Sequence, residues 1–189
     1  MQRDLEEFES KLAAYLGVKH AMGVADGTMA IHFGLIAAGI GAGDEVIVPS
    51  HTFVATASAV AHTGAKPVLV DCGPDHLIDT DSVRSAISSR TKAILPVQLN
   101  GRTANMDALG EIARKHNLKI VEDDCQALGS KCKGQFAGTF GVAGSFSFYP
   151  SKTLGCFGDG GAIVTNDSRV LEIMRELRDH GRGVDGLVH

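Results

Sequence analysis

Short apolar runs alternate along this chain with stretches of helical spacing, and few architectures accept that order. Residues 45–49, 66–71, 92–97, 118–122, 145–149 and 162–165 read as strands, several of them apolar on both faces. Between them, helices are predicted at 28–38, 52–62 and 106–116, and from an Asp81 N-cap through Ile87. A last helix is predicted at 168–179. The first helix, 3–16, carries Leu5, Phe8, Leu12 and Leu16 at helical spacing and is ended by Gly17. A short apolar run, 21–25, then leads into Asp26-Gly27-Thr28. Strands apolar on both faces need helices above and below them. The expected fold is therefore α/β, a three-layer αβα arrangement around a mainly parallel sheet.

No repeat, linker or low-complexity segment divides the 189 residues, so one domain is expected. The chain opens directly into a helix, and the run 182–189 offers no finishing element, so both ends read as cut. A net charge of −4 gives nucleic acid or an anionic membrane surface little to bind. No run approaches the roughly 20 apolar residues of a membrane span, and the acidic N-terminus is unlike a signal peptide. Cys72, Cys125, Cys132 and Cys156 form no CxxC pair. Reduced thiols and a cytoplasmic protein are expected.

In a parallel sheet, ligands lie at the carboxyl ends of the strands. The loops after 21–25, 45–49, 118–122 and 145–149 would therefore open on one edge. They bring together Asp26-Gly27-Thr28, Ser50-His51-Thr52-Phe53, Asp123 with Gln126, and Ser147 through Lys152.

Gly27-Thr28 precedes a helix, where free N–H groups make a phosphate seat; a plain turn with Thr28 as helix cap is the alternative. Glu122-Asp123-Asp124 could be a solvated loop edge or a weak metal site, but a strand-end carboxylate can also pair with a cationic ring nitrogen. The eight histidines show no metal spacing, although His51 falls on the ligand edge. No Walker A sequence occurs, no GxGxxG follows a strand, and Gly39 to Gly43 reads as a loop before one. A Ser-His-Asp hydrolase lacks its Gly-x-Ser-x-Gly elbow. Lys152 sits in a glycine-rich turn between two strands and is either an exposed hairpin lysine or a reacting one. A phosphate seat, a strand-end acid and a turn lysine together suit pyridoxal phosphate.

Beyond these residues, the chain resembles the DegT/DnrJ/EryC1/StrS family of pyridoxal-phosphate sugar aminotransferases, of the aspartate-aminotransferase fold type (fold type I). The matching stretches are Ala25 to Thr28, 43–53 (GDEVIVPSHTF), 121–129 (VEDDCQALG), 141–155 (GVAGSFSFYPSKTLG), 158–165 (GDGGAIVT) and His180-Gly181. The resemblance implies that Lys152 is the Schiff-base lysine and proton shuttle, and that Asp123 pairs with the pyridinium nitrogen. It places Gln126 and Phe53 on the two faces of the cofactor, and Gly27, Thr28 and Ser147 at its phosphate. It implies ping-pong transfer of an amine from an amino acid, usually glutamate, to a keto carbon of a nucleotide-linked deoxysugar, in a homodimer whose sites borrow residues across the interface.

Asp26 stands where Ser or Asn is common in the family, and Thr153 replaces a frequent Asn. Family members run to about twice this length, with a small C-terminal domain that helps close the substrate site. Residues 1–189 would then be the cofactor-binding large domain, a fragment truncated at both ends. Two rival readings follow. One is a fragment that binds cofactor without turning over. The other is a dehydrating relative, in which histidine replaces the lysine; Lys152 speaks against it.

Overall fold

The structure, a computed structural model, describes residues 2–183, 187 and 188. In chain order its elements are α1 (Gln2–Leu16), β1 (His20–Val24), α2 (Gly27–Ala37), β2 (Glu45–Pro49), α3 (Val54–His62), β3 (Lys66–Val70), α4 (Thr80–Ala86) and β4 (Thr91–Ile94). There follow α5 (Met106–His116), β5 (Lys119–Asp123), β6 (Lys131–Cys132), β7 (Gln135–Phe136), β8 (Ala143–Ser147), β9 (Gly161–Thr165) and α6 (Ser168–Arg178).

Seven strands form one sheet in the order β1-β9-β8-β5-β4-β2-β3. From β8 to β3 every neighbouring pair is parallel. The exception is β9, antiparallel to both β1 and β8. It follows that β1 points the same way as β8, so six of the seven strands end on one edge. The mainly parallel α/β sheet expected from the sequence is present.

Alternation along the strands sorts the core into two faces. Val46 and Val48 of β2, with Val121 of β5, pack against Ile31 and Leu35 of α2 and Ala59 and Val60 of α3. Ile163 of β9 and Ala143 of β8 meet α2 and α6 on that same face. Ile47, Ile94 and Ile120 point the other way, toward Val83 of α4 and Leu109 and Ile112 of α5. Phe146, Ala162 and Val164 do likewise toward Leu12 and Leu16 of α1. Helices α2, α3 and α6 thus cover one face, and α1, α4 and α5 the other.

The central helix is α2, packed on β5, β8 and β9 and flanked by α3 and α6. Ile31 and Leu35 are fully buried there, each worth about 1.5–3 kcal/mol of burial.

Several expected boundaries move. The strand expected at 92–97 stops at Ile94, and Val97 rejoins the sheet through a single bridge to Asp123. Pro96 between them has no N–H to donate to a ladder. The strand expected at 145–149 is β8, two residues earlier, and Tyr149 is exposed beyond it. Helix α3 begins at Val54 rather than at Thr52, with Phe53 at its N-cap. Asp79, not Asp81, caps α4, its carboxylate accepting the Ser82 N–H at 2.7 Å. Of the run 182–189, residues 184–186 and 189 lie outside the described residues.

Candidate active site

The site is built where β1, β2, β5 and β8 end. A cavity of about 490 Å³ opens there, and Gly27, Thr28, Phe53, Asp123, Gln126, Ser147 and Lys152 all line it. Residues drawn from four separate strand-end loops thereby meet in one place, as the carboxyl-edge rule requires.

Gly27 begins α2. A Cβ on it would lie 2.8 Å from both Cys125 Sγ and Ser147 Cβ, so only glycine lets the helix start this close to the ends of β5 and β8. Asp26 is the N-cap: its carboxylate accepts the Met29 N–H at 2.8 Å. That cap corrects the alternative in which Thr28 does the capping; Thr28 lies inside the first turn. The N–H groups of Gly27 and Thr28 have no intrahelical acceptor and stand at the positive end of the helix dipole. Ser147 closes β8 beside them, its Oγ accepting a long bond from the Tyr149 N–H at 3.4 Å.

Asp123 is the last residue of β5 and is 4% exposed. One carboxylate oxygen accepts the Thr56 hydroxyl at 2.7 Å, and the other accepts the Cys125 N–H at 3.1 Å. Two donors leave lone pairs free for a further donor from the cavity. Thr56 is completely buried and lies 2.7 Å, oxygen to oxygen, from the hydroxyl of Thr52. Gln126 is steered by its neighbours: its side-chain oxygen accepts the Asn100 N–H at 3.2 Å, and its backbone carbonyl accepts the Gly101 N–H. Phe53 presents an exposed ring at the mouth. The Lys152 side chain is half-buried, and its backbone N–H turns back to the Tyr149 carbonyl at 2.8 Å.

The three-acid run is not a solvated edge. Glu122, Asp123 and Asp124 are all buried. Glu122 accepts four hydrogen bonds, from Gln98 Nε2 and the N–H groups of Gly138, Phe140 and Gly141. Burial pushes its pKa up, and those donors pull it back. Asp124 has no partner on either carboxyl oxygen, and burial, followed by the charges of Glu122 and Asp123, raises its pKa well above the ordinary range. Cys125, against Gly27, is likewise pushed well up by burial and then by Asp123.

Thr52, Tyr149 and Ser151 border the cavity from within the stretches expected on that edge, and Thr56, Cys125 and Asp159 border it from outside them. Thr56 was hidden inside a small-residue helix, where nothing in the spacing marks it. His51 stands outside the cavity, exposed, edge-on to the His76 ring with centroids 5.4 Å apart. Among the described residues no three His, Cys, Asp or Glu side chains gather as metal ligands would. No helix among them is long and apolar enough to cross a membrane.

Similarity to characterised proteins agrees with this arrangement. Residues 2–188 match the model of the DegT/DnrJ/EryC1/StrS aminotransferase family. A dTDP-3-amino-3,4,6-trideoxy-alpha-D-glucose transaminase from Streptomyces venezuelae is 51% identical over 179 residues, 94% of this chain and 47% of its own length. The crystal structure of S. venezuelae DesV in complex with a ketimine intermediate superposes with a TM-score of 0.91 at 51% identity, covering 94% of this chain and 48% of that one. NtdA from Bacillus subtilis, solved with bound cofactor PMP, gives a TM-score of 0.89 at 38% identity, covering 96% of this chain and 41% of that one. The chain spans about half the length of the curated relatives it matches. With a match across nearly its whole length, and a sheet that superposes on those structures, the chain belongs to the DegT/DnrJ/EryC1/StrS aminotransferase family, whose cofactor is pyridoxal phosphate.

Proposed function

We propose that this chain is the cofactor-binding large domain of an enzyme that moves an amino group from an amino acid, in our reading glutamate, to a keto carbon of a nucleotide-linked deoxysugar. The observation that carries the proposal is the meeting of Lys152, Asp123 and the Gly27 turn in one cavity.

The residues present fit pyridoxal phosphate. The clearance at Gly27, too small for any Cβ, brings the helix start and its two N–H groups without an intrahelical acceptor close to Ser147, a setting that suits a phosphate. Asp123 offers an acceptor, already tied by two donors, to a ring N–H. Phe53 and Gln126 would close the two faces of the ring. When bound, the cofactor supplies an electron sink that makes the Cα–H of a bound amino acid removable. Lys152 Nζ, as a free amine, would take that proton and return it to the neighbouring carbon. Asp123 would accept the ring N–H and hold that proton on the ring nitrogen.

The family expectation of a homodimer belongs to this reading. Phe157 is fully exposed, and Tyr149 and Leu154 are about half exposed, on the loop that carries Lys152; a second copy of the chain is the cover we infer for them.

The test uses the 189-residue chain as it is. It is mixed with pyridoxal phosphate, reduced with borohydride and mapped by peptide mass. Cofactor mass on Lys152, lost in Lys152→Ala, supports the assignment, and its absence or appearance elsewhere overturns it. Release of 2-oxoglutarate from glutamate then separates turnover from binding alone.

A further inference from the structure

Two threonines behind Asp123 carry an assignment that neither the family match nor the sequence motifs make. Thr56 is fully buried on α3, and its hydroxyl is 2.7 Å from Asp123, 67 residues further along the chain. A helical Ser or Thr hydroxyl ordinarily bonds the carbonyl one turn back. Ser58, two residues later on the same helix, does so, donating to the Val54 carbonyl at 3.0 Å. Thr56 instead spends its single proton on a carboxylate.

The direction of the chain of hydroxyls follows from valence. An ionised Asp123 can only accept, so Thr56 donates to it. The oxygen of Thr56 is then free to accept, and the Thr52 hydroxyl at 2.7 Å is the donor. Thr52 is half-buried at the cavity wall, so the relay runs from the wall to the acid. Both threonines flank Phe53, on the one segment that also presents the exposed ring.

We infer that Thr52 and Thr56 are positioning residues for the transfer reaction: their hydroxyl relay orients Asp123 as an acceptor, so that the proton shared with the cofactor ring stays on the ring nitrogen. The inference rests on the functional reading above. A donor on a carboxylate stabilises its charged form. Removing it favours the alternative in which Asp123 takes the proton and the ring nitrogen is left neutral. Thr52 acts one step further away, by fixing where the Thr56 proton points, and its loss is the smaller effect in the same direction.

The experiment compares Thr56→Val, which keeps the shape and removes the hydroxyl, with Thr56→Ser, which restores it. Three readouts are taken on the full chain: cofactor dissociation constant, NMR of cofactor labelled at its ring nitrogen at fixed pH, and thermal unfolding without cofactor. Thr56→Val is expected to weaken cofactor binding about tenfold or more, as losing a hydrogen bond to a charged acceptor does. Its ring-nitrogen signal should move toward the unprotonated position. Thr56→Ser should return both to near wild-type values, and Thr52→Val should move both by less. A Thr56→Val protein with wild-type affinity and an unshifted nitrogen signal overturns the relay. So does a variant whose cofactor-free stability collapses and is not rescued by serine, because the role is then structural. Failure of the unaltered chain to take up cofactor at all is a different result; it overturns the functional reading, and the relay with it.

Discussion

Glu122 and Asp123 are adjacent in the chain, yet their carboxylates lie on opposite faces of the sheet. Asp123 points toward α3, where Thr56 donates to it. Glu122 points to the other face, where the backbone of 138–141 and Gln98 converge on it. The period of two along a strand sends one acid to the cavity and leaves its neighbour to hold the loop behind it.

Glu122→Gln should therefore damage the fold. Its amide nitrogen would face N–H groups that now donate to an anion, leaving buried donors unpaired. We expect a loss of about 2 kcal/mol or more, read as a lower urea midpoint at unchanged slope. A variant as stable as the wild type would show that the four hydrogen bonds contribute nothing net.

Asp124 sets an alkaline trend. Its pKa is raised in the folded state, by burial first and then by Glu122 and Asp123, against which the Ser145 backbone is only a small offset. A group of this kind contributes stability that is complete below the ordinary carboxylate range and is lost as pH rises through the folded value. Urea unfolding between about pH 5 and about pH 9 should show wild-type stability declining. Asp124→Ala should flatten that decline and gain about 1–3 kcal/mol at the alkaline end, as removing an unsatisfied buried group does. Parallel curves would refute the assignment.

Glu45 sets the opposite trend in acid. It is 5% exposed, and its carboxylate accepts from Ser88 Oγ at 2.6 Å and from the Arg90 guanidinium at 2.7 Å. The Ser88 hydrogen bond first, then Arg90, holds its pKa below the ordinary value. The stability it contributes is present above the ordinary carboxylate range and disappears as pH falls through the lowered folded value. Ser88→Ala should raise the pH at which acid unfolding begins, followed by circular dichroism.

Gly27→Ala tests the cradle. The added Cβ meets Cys125 Sγ and Ser147 Cβ at 2.8 Å, and the Ser147 Cβ, bonded directly to the strand backbone, cannot swing clear. Overpacking of this kind costs about 1–3 kcal/mol. Cofactor affinity should fall further than stability, because the shift displaces the N–H groups at the helix start. Equal losses in the two measurements would argue that Gly27 serves the fold alone.

Much of this was legible in the chain itself. Runs such as Val46 to Val48, bounded by Glu45 and Pro49, read as buried strands. Their alternation with helices dictates a parallel sheet, and a parallel sheet dictates which edge carries the site. That is why Gly27, Asp123, Ser147 and Lys152 fall on one edge by sequence alone, and all four line one cavity. Local patterning and chain direction are properties of the sequence alone.

Tertiary structure decided what depends on distant partners. Nothing in the spacing of β9 says that it inserts between β1 and β8, antiparallel to both; that order places Gly161 against Asp26 so closely that a Cβ would lie 2.4 Å from the Asp26 carbonyl. Nothing in three consecutive acids says that one is bound by backbone, one by a threonine 67 residues away, and one by no side-chain partner at all. Thr56 is an unremarked hydroxyl until α3 is laid on β5. A hydrogen bond needs its donor within about 3 Å of its acceptor, and between residues far apart in the chain only the packing of helix on sheet can supply that distance.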